Sequence, residues 1–146
     1  MEHALEFRQR RELGAQDEAG VFTLIDKRDA RRSGFVVEVG ARRLTVYAGY
    51  SDQAVMTAPV AVGRDSTPTP LGHFYVDISV AQNTYTPWIL SVSGFSEVLD
   101  SFGGGRGQIA IHGWSDTSVL GQNVSNGCVR VSFDDLWRLR DLAPVG

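Results

Sequence analysis

The chain has 146 residues, enough for one domain that buries its own core, and with 42% apolar and 21% charged residues it has the composition of an ordinary globular protein. A formal net charge of −3 supplies no basic field for nucleic acid, and the single cysteine rules out an intramolecular disulfide. No stretch approaches the roughly 18 consecutive apolar residues of a membrane-spanning helix.

Residues 1–34 read as a charge-rich N-terminal segment or linker, in which Met1 to Leu13 has the makings of a helical turn or two. Met1 to Arg11 alternates charged and apolar residues and lacks the apolar stretch of a signal peptide, so no export address is expected in this sequence, which is read either as cytoplasmic or as a segment of a longer exported protein. The basic run Lys27, Arg28, Arg31, Arg32 is interrupted by Asp29 and reads as a solvated connector. Val21 to Ile25 predicts a short strand, and Ser33-Gly34 a turn.

From residue 35 the pattern becomes one of short strands. Phe35, Val37 and Val39 alternate with Val36, Glu38 and Gly40, and Leu44, Val46 and Ala48 alternate with Arg43, Thr45 and Tyr47. Gly40-Ala41 joins the two runs as a hairpin. Val55 to Val62 predicts a third strand, at an edge or a bulge because of Pro59. Gly72 to Val80, introduced by Thr67-Pro68-Thr69-Pro70, predicts another, followed by Trp88 to Ser93, Gln108 to His112 and Cys128 to Val131. One later segment is helical: Ser132 is a good N-cap, Asp134 and Asp135 favour the helix dipole, Leu136 and Leu139 share a face, and Pro144 ends it. The expected fold is therefore mainly β, with one or two short helices. The turn-rich stretch Gln82 to Gly107, with Tyr85, Trp88 and the run Gly103 to Gly107, reads either as a lid or substrate wall or as a plain loop. No Lys-Ser/Thr follows these glycines, which argues against a phosphate cradle.

The chemistry concentrates in Ile109-Ala110-Ile111-His112-Gly113, Gly121 and Ser125-Asn126-Gly127-Cys128-Val129-Arg130-Val131. A nucleophilic cysteine needs a base or a positive environment, and imidazole is the side chain that titrates near neutrality. His112 precedes Cys128 by sixteen positions, so two short strands joined by a loop can bring the pair together. Gly127 allows a sharp turn, after which the N–H groups of Gly127 and Cys128 can face a developing oxyanion. Arg130 lies two residues beyond Cys128 and so shares its face on a strand, where a cation favours thiolate or holds a substrate carboxylate. Taken singly, Cys128 reads first as a small buried hydrophobe and His112 as a satisfied core histidine; together, with glycine flanks and a nearby arginine, they read as a catalytic pair. His3, His73, His112 and Cys128 are too scattered for a zinc site, and no metal or cofactor is expected.

This stretch resembles the signature of the L,D-transpeptidase catalytic domain (the YkuD type), a His-Gly, a later Gly, and Ser-His/Asn-Gly-Cys followed by a hydrophobic residue and Arg. Arg43-Leu44-Thr45-Val46-Tyr47 is similar to an early strand of that family. Pro59-Val60-Ala61-Val62-Gly63 with Thr67-Pro68-Thr69-Pro70-Leu71-Gly72-His73-Phe74 is similar to its upstream block. The resemblance covers roughly residues 35–146, which are expected to be the catalytic domain; members usually continue into one more strand beyond Pro144-Val145-Gly146.

The resemblance implies a β-sandwich-like domain of mixed sheets with the cysteine in a groove. It implies a cysteine acyltransferase that cross-links peptidoglycan. Cys128 would attack the carbonyl between the L-centre of the stem peptide's third residue and the terminal D-alanine, and a neighbouring stem's amine would resolve the thioester into a 3–3 cross-link. His112 would be the base, the Gly113 carbonyl would orient its imidazole, and the Gly127 and Cys128 N–H groups would form the oxyanion hole. Ser125 and Asn126 would shape the loop, Arg130 would support substrate or loop, and Trp88, Tyr85 and Trp114 would wall the stem peptide. His73 is expected at the surface. The implied partners are donor and acceptor stem peptides, with carbapenem-type β-lactams as covalent inhibitors and a location outside the cytoplasm, in cell wall or periplasm. An L,D-carboxypeptidase, a protein-to-wall ligase and a non-catalytic peptidoglycan-binding module are the competing readings.

Overall fold

A computed structural model describes residues 20–25, 34–47, 53–101 and 107–143. The possible helix at Met1 to Leu13, the basic run Lys27 to Arg32, Ser33, most of the glycine run Gly103 to Gly107 and the C-terminal Pro144 to Gly146 lie outside those residues.

The fold is mainly β. One sheet contains β1 (Val21–Ile25), β2 (Gly34–Glu38), β3 (Arg43–Tyr47), β4 (Ala54–Pro59) and β6 (Gly72–Phe74), in the order β4-β3-β2-β1-β6. β1 to β4 form an antiparallel meander, and β6 adds to β1 in parallel. The second sheet has the order β11-β9-β8-β7, from β7 (Val76–Ala81), β8 (Trp88–Phe95), β9 (Gln108–Gly113) and β11 (Val129–Val131). Its β7-β8 and β8-β9 pairs are antiparallel and its β9-β11 pair parallel. A short parallel pair, β5 (Val62–Gly63) with β10 (Asn123–Ser125), completes the sheets. The helix α1 (Phe133–Leu142) and a 3₁₀ turn at Thr117–Val119 are the helical elements among the described residues.

The two large sheets share one core. Phe22, Leu24, Phe35, Val37, Leu44 and Val46 of the first meet Leu90, Val92, Ile109, Ile111, Val129 and Val131 of the second in a single buried cluster. Their alternation along each strand is the period-2 pattern that sends one face inward. α1 is capped by Ser132, whose Oγ accepts the Asp135 N–H at 3.1 Å, and it contributes Leu136 and Leu139 to the core. The meander connection Val39–Arg42 turns at Arg42, which has φ 53°. Pro59 lies on an edge strand, as its missing N–H requires.

Two predicted strands are each divided. The run Val55 to Val62 leaves the first sheet after Pro59; Ala61 then bridges Arg130, and Val62–Gly63 pairs with β10. The run Gly72 to Val80 breaks at Tyr75, where β6 ends in one sheet and β7 begins in the other. Alternating hydrophobicity is blind to such a change of partner, because inward residues stay inward as the chain crosses between sheets. Gly34, expected in a turn, opens β2, and β10 was not anticipated. The supposed long insert Gln82 to Gly107 is likewise divided, since β8 is an interior strand of its sheet.

Leu136 is fully buried and packs α1 into the core against β9 of the second sheet. Leu136→Ala is expected to lower stability by about 2–5 kcal/mol, through lost transfer energy and a residual cavity. Equilibrium urea unfolding measures this; a loss below about 1 kcal/mol would mean that the helix is peripheral to the core.

Candidate active site

The register of β9 and β11 builds the site. Val129 pairs with Ile111 and Arg130 with His112, which puts Cys128 beside Ala110. On one face Ile109, Ile111, Val129 and Val131 enter the core. On the other, His112, Cys128 and Arg130 line a cavity of about 230 Å³ together with Tyr85, Trp114, Ser125 and Asn126. Among the described residues this lining includes one cation and no carboxylate.

His112 is buried and its Nδ1 lies 2.8 Å from the Gly113 carbonyl oxygen. A carbonyl only accepts, so Nδ1 carries the proton and Nε2 offers its lone pair. Gly113 is itself fixed: its N–H donates to Thr86 Oγ1 at 2.8 Å, and that hydroxyl donates to the Trp88 carbonyl at 2.8 Å. A Cβ at Gly113 would collide with Phe133 and press on Leu136 of α1, so glycine lets the helix approach the strand beside His112. Tyr85 stands edge-on to the imidazole with ring centroids 4.9 Å apart. The Arg130 guanidinium lies over the Trp114 ring, 3.8 Å from its centroid, and its Nε is buried without a hydrogen-bond partner.

Burial sets the protonation states. It pushes His112 down to about 4, with the Gly113 hydrogen bond opposing and the Arg130 cation adding to the depression. It pushes the Cys128 thiol up, against a backbone hydrogen bond from Ala110 and the charge of Arg130, both of which favour thiolate. Burial also raises the Tyr85 phenol. At neutral pH the site therefore holds a neutral thiol and a neutral imidazole.

The loop leading into Cys128 is held from below. Ser125 Oγ donates to the Cys128 carbonyl at 2.6 Å and accepts the Gly127 N–H at 3.0 Å. Thr67 Oγ1 donates to the Ser125 carbonyl and Thr69 Oγ1 to the Gly127 carbonyl, both at 2.8 Å. Gly127 has φ +124°, a conformation that favours glycine, and a Cβ there would crowd the tip of Ile109.

Two sequence expectations need correction. The Gly127 N–H does not face the cavity as an oxyanion donor, because the Ser125 hydroxyl occupies it. Trp88 does not line the cavity. Ile89 is the β8 residue paired with His112, so Trp88, one position away, points through the opposite face. There its Nε1–H donates to Ser79 Oγ at 2.9 Å, and its ring lies near Trp137 and Arg140. Tyr85, Trp114, Ser125, Asn126 and Arg130 do line the cavity, and His73 is exposed on β6. Thr67, Thr69 and Thr86 escaped notice at the site, although each precedes a proline and is buried; the Thr-Pro dipeptides were the available signal. Among the described residues no cluster of three or more metal-ligating side chains occurs, and no helix is long and apolar enough to cross a membrane.

A family model for the L,D-transpeptidase catalytic domain (YkuD) matches residues 32–146. The chain belongs to the L,D-transpeptidase family. It is 31% identical over 113 residues to the provisionally named L,D-transpeptidase YkuD of Bacillus subtilis, a match that takes in 75% of this chain and 60% of that protein. The chain thus spans less than two thirds of the length of this relative. Among solved structures, Bd1075 of Bdellovibrio bacteriovorus superposes with a TM-score of 0.59 at 23% identity, over 88% of this chain and 49% of that one. L,D-transpeptidase 3 of Mycobacterium tuberculosis, in complex with a faropenem-derived adduct, gives 0.56 at 14% identity over 79% and 65%. These structures share the fold.

The imidazole and the thiol each make a pH prediction. Folded His112 binds its proton only near pH 4, whereas an unfolded histidine does so near 6.5, so the stability that neutral His112 contributes is lost as pH falls from about 6.5 to 4. NMR titration of the imidazole is expected to give a midpoint near 4, and a midpoint near 6.5 would show an open, solvated ring. Iodoacetamide alkylation of Cys128 is expected to keep accelerating at pH values above those at which an unperturbed cysteine levels off.

Proposed function

We propose that this chain is a peptidoglycan L,D-transpeptidase that forms 3–3 cross-links through a thioester on Cys128, acting outside the cytoplasm where its polymer lies. The observation that carries the reading is one cavity into which a thiol and an imidazole of fixed tautomer both open. Family membership supports the reaction class.

In this mechanism the terminal D-alanine amide of a donor stem peptide enters the cavity. Cys128 Sγ attacks the carbonyl carbon as His112 Nε2 takes the thiol proton. A base that is neutral down to about pH 4 is fully available at neutral pH. The tetrahedral intermediate collapses, the C–N bond breaks, and His112 returns its proton to the departing D-alanine amine. A side-chain amine of an acceptor stem then attacks the thioester, passes a proton through His112 to sulfur, and leaves an amide cross-link with Cys128 as thiol. Arg130, the one cation among the described lining residues, none of which is a carboxylate, suits a donor that bears carboxylates, and Trp114 and Tyr85 give the peptide apolar walls. A β-lactam offers the same chemistry with a leaving nitrogen tethered in the acyl group. The faropenem-derived adduct in the mycobacterial structure supports β-lactams as inhibitors.

Intact-protein mass spectrometry after incubation with imipenem tests the acyl-enzyme. One adduct per chain on the parent and none on a folded Cys128→Ala is the expected outcome; an adduct on Cys128→Ala, or none on the parent, would overturn it. His112→Gln is expected to slow acylation by about 10²–10⁴-fold, and the parental rate to show an acid limb near pH 4. With a tetrapeptide donor, a cross-linked dimer in the presence of a diamino-acid amine supports transpeptidation. Tripeptide alone would identify an L,D-carboxypeptidase.

A further inference from the structure

We propose that Thr67 and Thr69 are positioning residues which turn the peptide planes of the nucleophile loop, so that the N–H groups of Asn126 and Cys128 together receive the oxyanion. The inference rests on the acyl-enzyme reading above and names the donors of that site.

The argument is one of peptide geometry. In a planar trans peptide the C=O of one residue and the N–H of the next point in opposite directions. The Ser125 carbonyl is drawn to Thr67 Oγ1 at 2.8 Å and to the Arg64 N–H at 3.0 Å. The Asn126 N–H must then point away from residues 64–69. The Gly127 carbonyl is drawn to Thr69 Oγ1 at 2.8 Å, so the Cys128 N–H points the same way. The intervening peptide is reversed, with its Gly127 N–H on the Ser125 hydroxyl. Asn126 and Cys128 line the cavity, while Thr67, Thr69 and Pro68 lie on the other side of the loop, where Pro68 O faces the Cα of Gly127. The direction away from the Thr-Pro block is therefore the direction of the cavity. Neither N–H takes part in a turn or side-chain hydrogen bond among the described residues.

The clamp is itself rigid. Thr69 Oγ1 accepts the Gly63 N–H at 3.0 Å while donating to Gly127, which ties β5 to the loop through one buried hydroxyl. Gly63 has no room for a Cβ, because the backbone of Thr67 to Thr69 packs directly on it. Thr67 makes a simpler contact, and the Ser125 carbonyl would keep the Arg64 N–H without it. Of the two, Thr69 carries the larger effect.

Two reactions of Cys128 separate aim from integrity. Acylation by imipenem passes through a tetrahedral oxyanion; alkylation by iodoacetamide displaces iodide at a saturated carbon and needs no such donors. Both rates are measured for the parent, Thr69→Val, Thr69→Ser and Thr67→Val, with folding checked by circular dichroism. Removal of one oxyanion donor typically costs 10²–10³-fold, so a misaligned pair in Thr69→Val is expected to slow acylation by about tenfold or more with alkylation within about twofold of the parent. Thr69→Ser, which keeps the hydroxyl, is expected to restore acylation. Should Thr69→Val not fold because Gly63 N–H is left unpaired, Thr67→Val carries the test with a smaller loss in the same direction. Equal acylation in parent and folded valine variants, or parallel loss of both reactions, would overturn the inference alone. A parent that alkylates but is not acylated would overturn the acyl-enzyme reading and this inference with it.

Discussion

The parallel pairing of β9 with β11 is the constraint on which the rest of the molecule depends. Each strand is short, and side chains alternate across it, so one register decides two things together. With Val129 opposite Ile111, four aliphatic side chains enter the core and the thiol, imidazole and guanidinium emerge on the other face. A slip of one residue on either strand would send His112 or Cys128 into the hydrocarbon interior and expose isoleucine or valine. The apolar burial that stabilises the sheet therefore also fixes the site's geometry, with no separate interaction required to hold the pair together.

What the register cannot settle is the backbone just before the nucleophile, and there small residues and hydroxyls take over. Gly63, Gly113 and Gly127 mark three close approaches. At Gly63 the Thr-Pro block lies on β5, at Gly113 α1 lies on the strand that carries His112, and at Gly127 the loop lies on Ile109 and Pro68. Hydroxyls then satisfy the polar groups brought inside by these approaches. Thr67, Thr69, Thr86 and Ser125 are all buried, and each of their side-chain oxygens donates to a named backbone carbonyl. Such paired hydroxyls are tolerable in a core because none is left without a partner.

Much of this was legible in the sequence, for identifiable reasons. The β2-β3 hairpin, the capped final helix and the shared face of Cys128 and Arg130 follow from periods of 2 and 3.6 and from capping chemistry, which are local properties. The signature around Ser125 to Arg130 pointed to the family in the same way, because its spacing is contained in a few residues. The failures concern what a residue meets across space. Trp88 is aromatic and close in sequence to Tyr85, but its facing depends on the β8-β9 register, which sends Ile89 toward His112 instead. The Gly127 N–H looked available because nothing local announces that the Ser125 hydroxyl two residues earlier turns back to it. The strand switches at Val60 and Tyr75 were hidden because both sheets face one core.

The same burial that depresses the base and raises the thiol also gives the site its leverage. A preformed thiolate–imidazolium pair would place a charge on the buried imidazole beside Arg130, whose charge favours the thiolate but opposes the imidazolium. The neutral pair avoids that conflict in the resting protein. In the proposed reaction charge then develops during attack, as the proton moves to His112 and the electron pair moves toward the carbonyl oxygen. In a low-dielectric site, fixed dipoles aimed at that oxygen are worth more than in water and need not reorganise as the charge forms. A resting pair that is unreactive by titration is thus compatible with acylation, provided that the N–H groups meeting the oxyanion are held in place beforehand. That requirement connects the buried threonines to the chemistry more directly than any further shift in the proton affinity of sulfur or imidazole would.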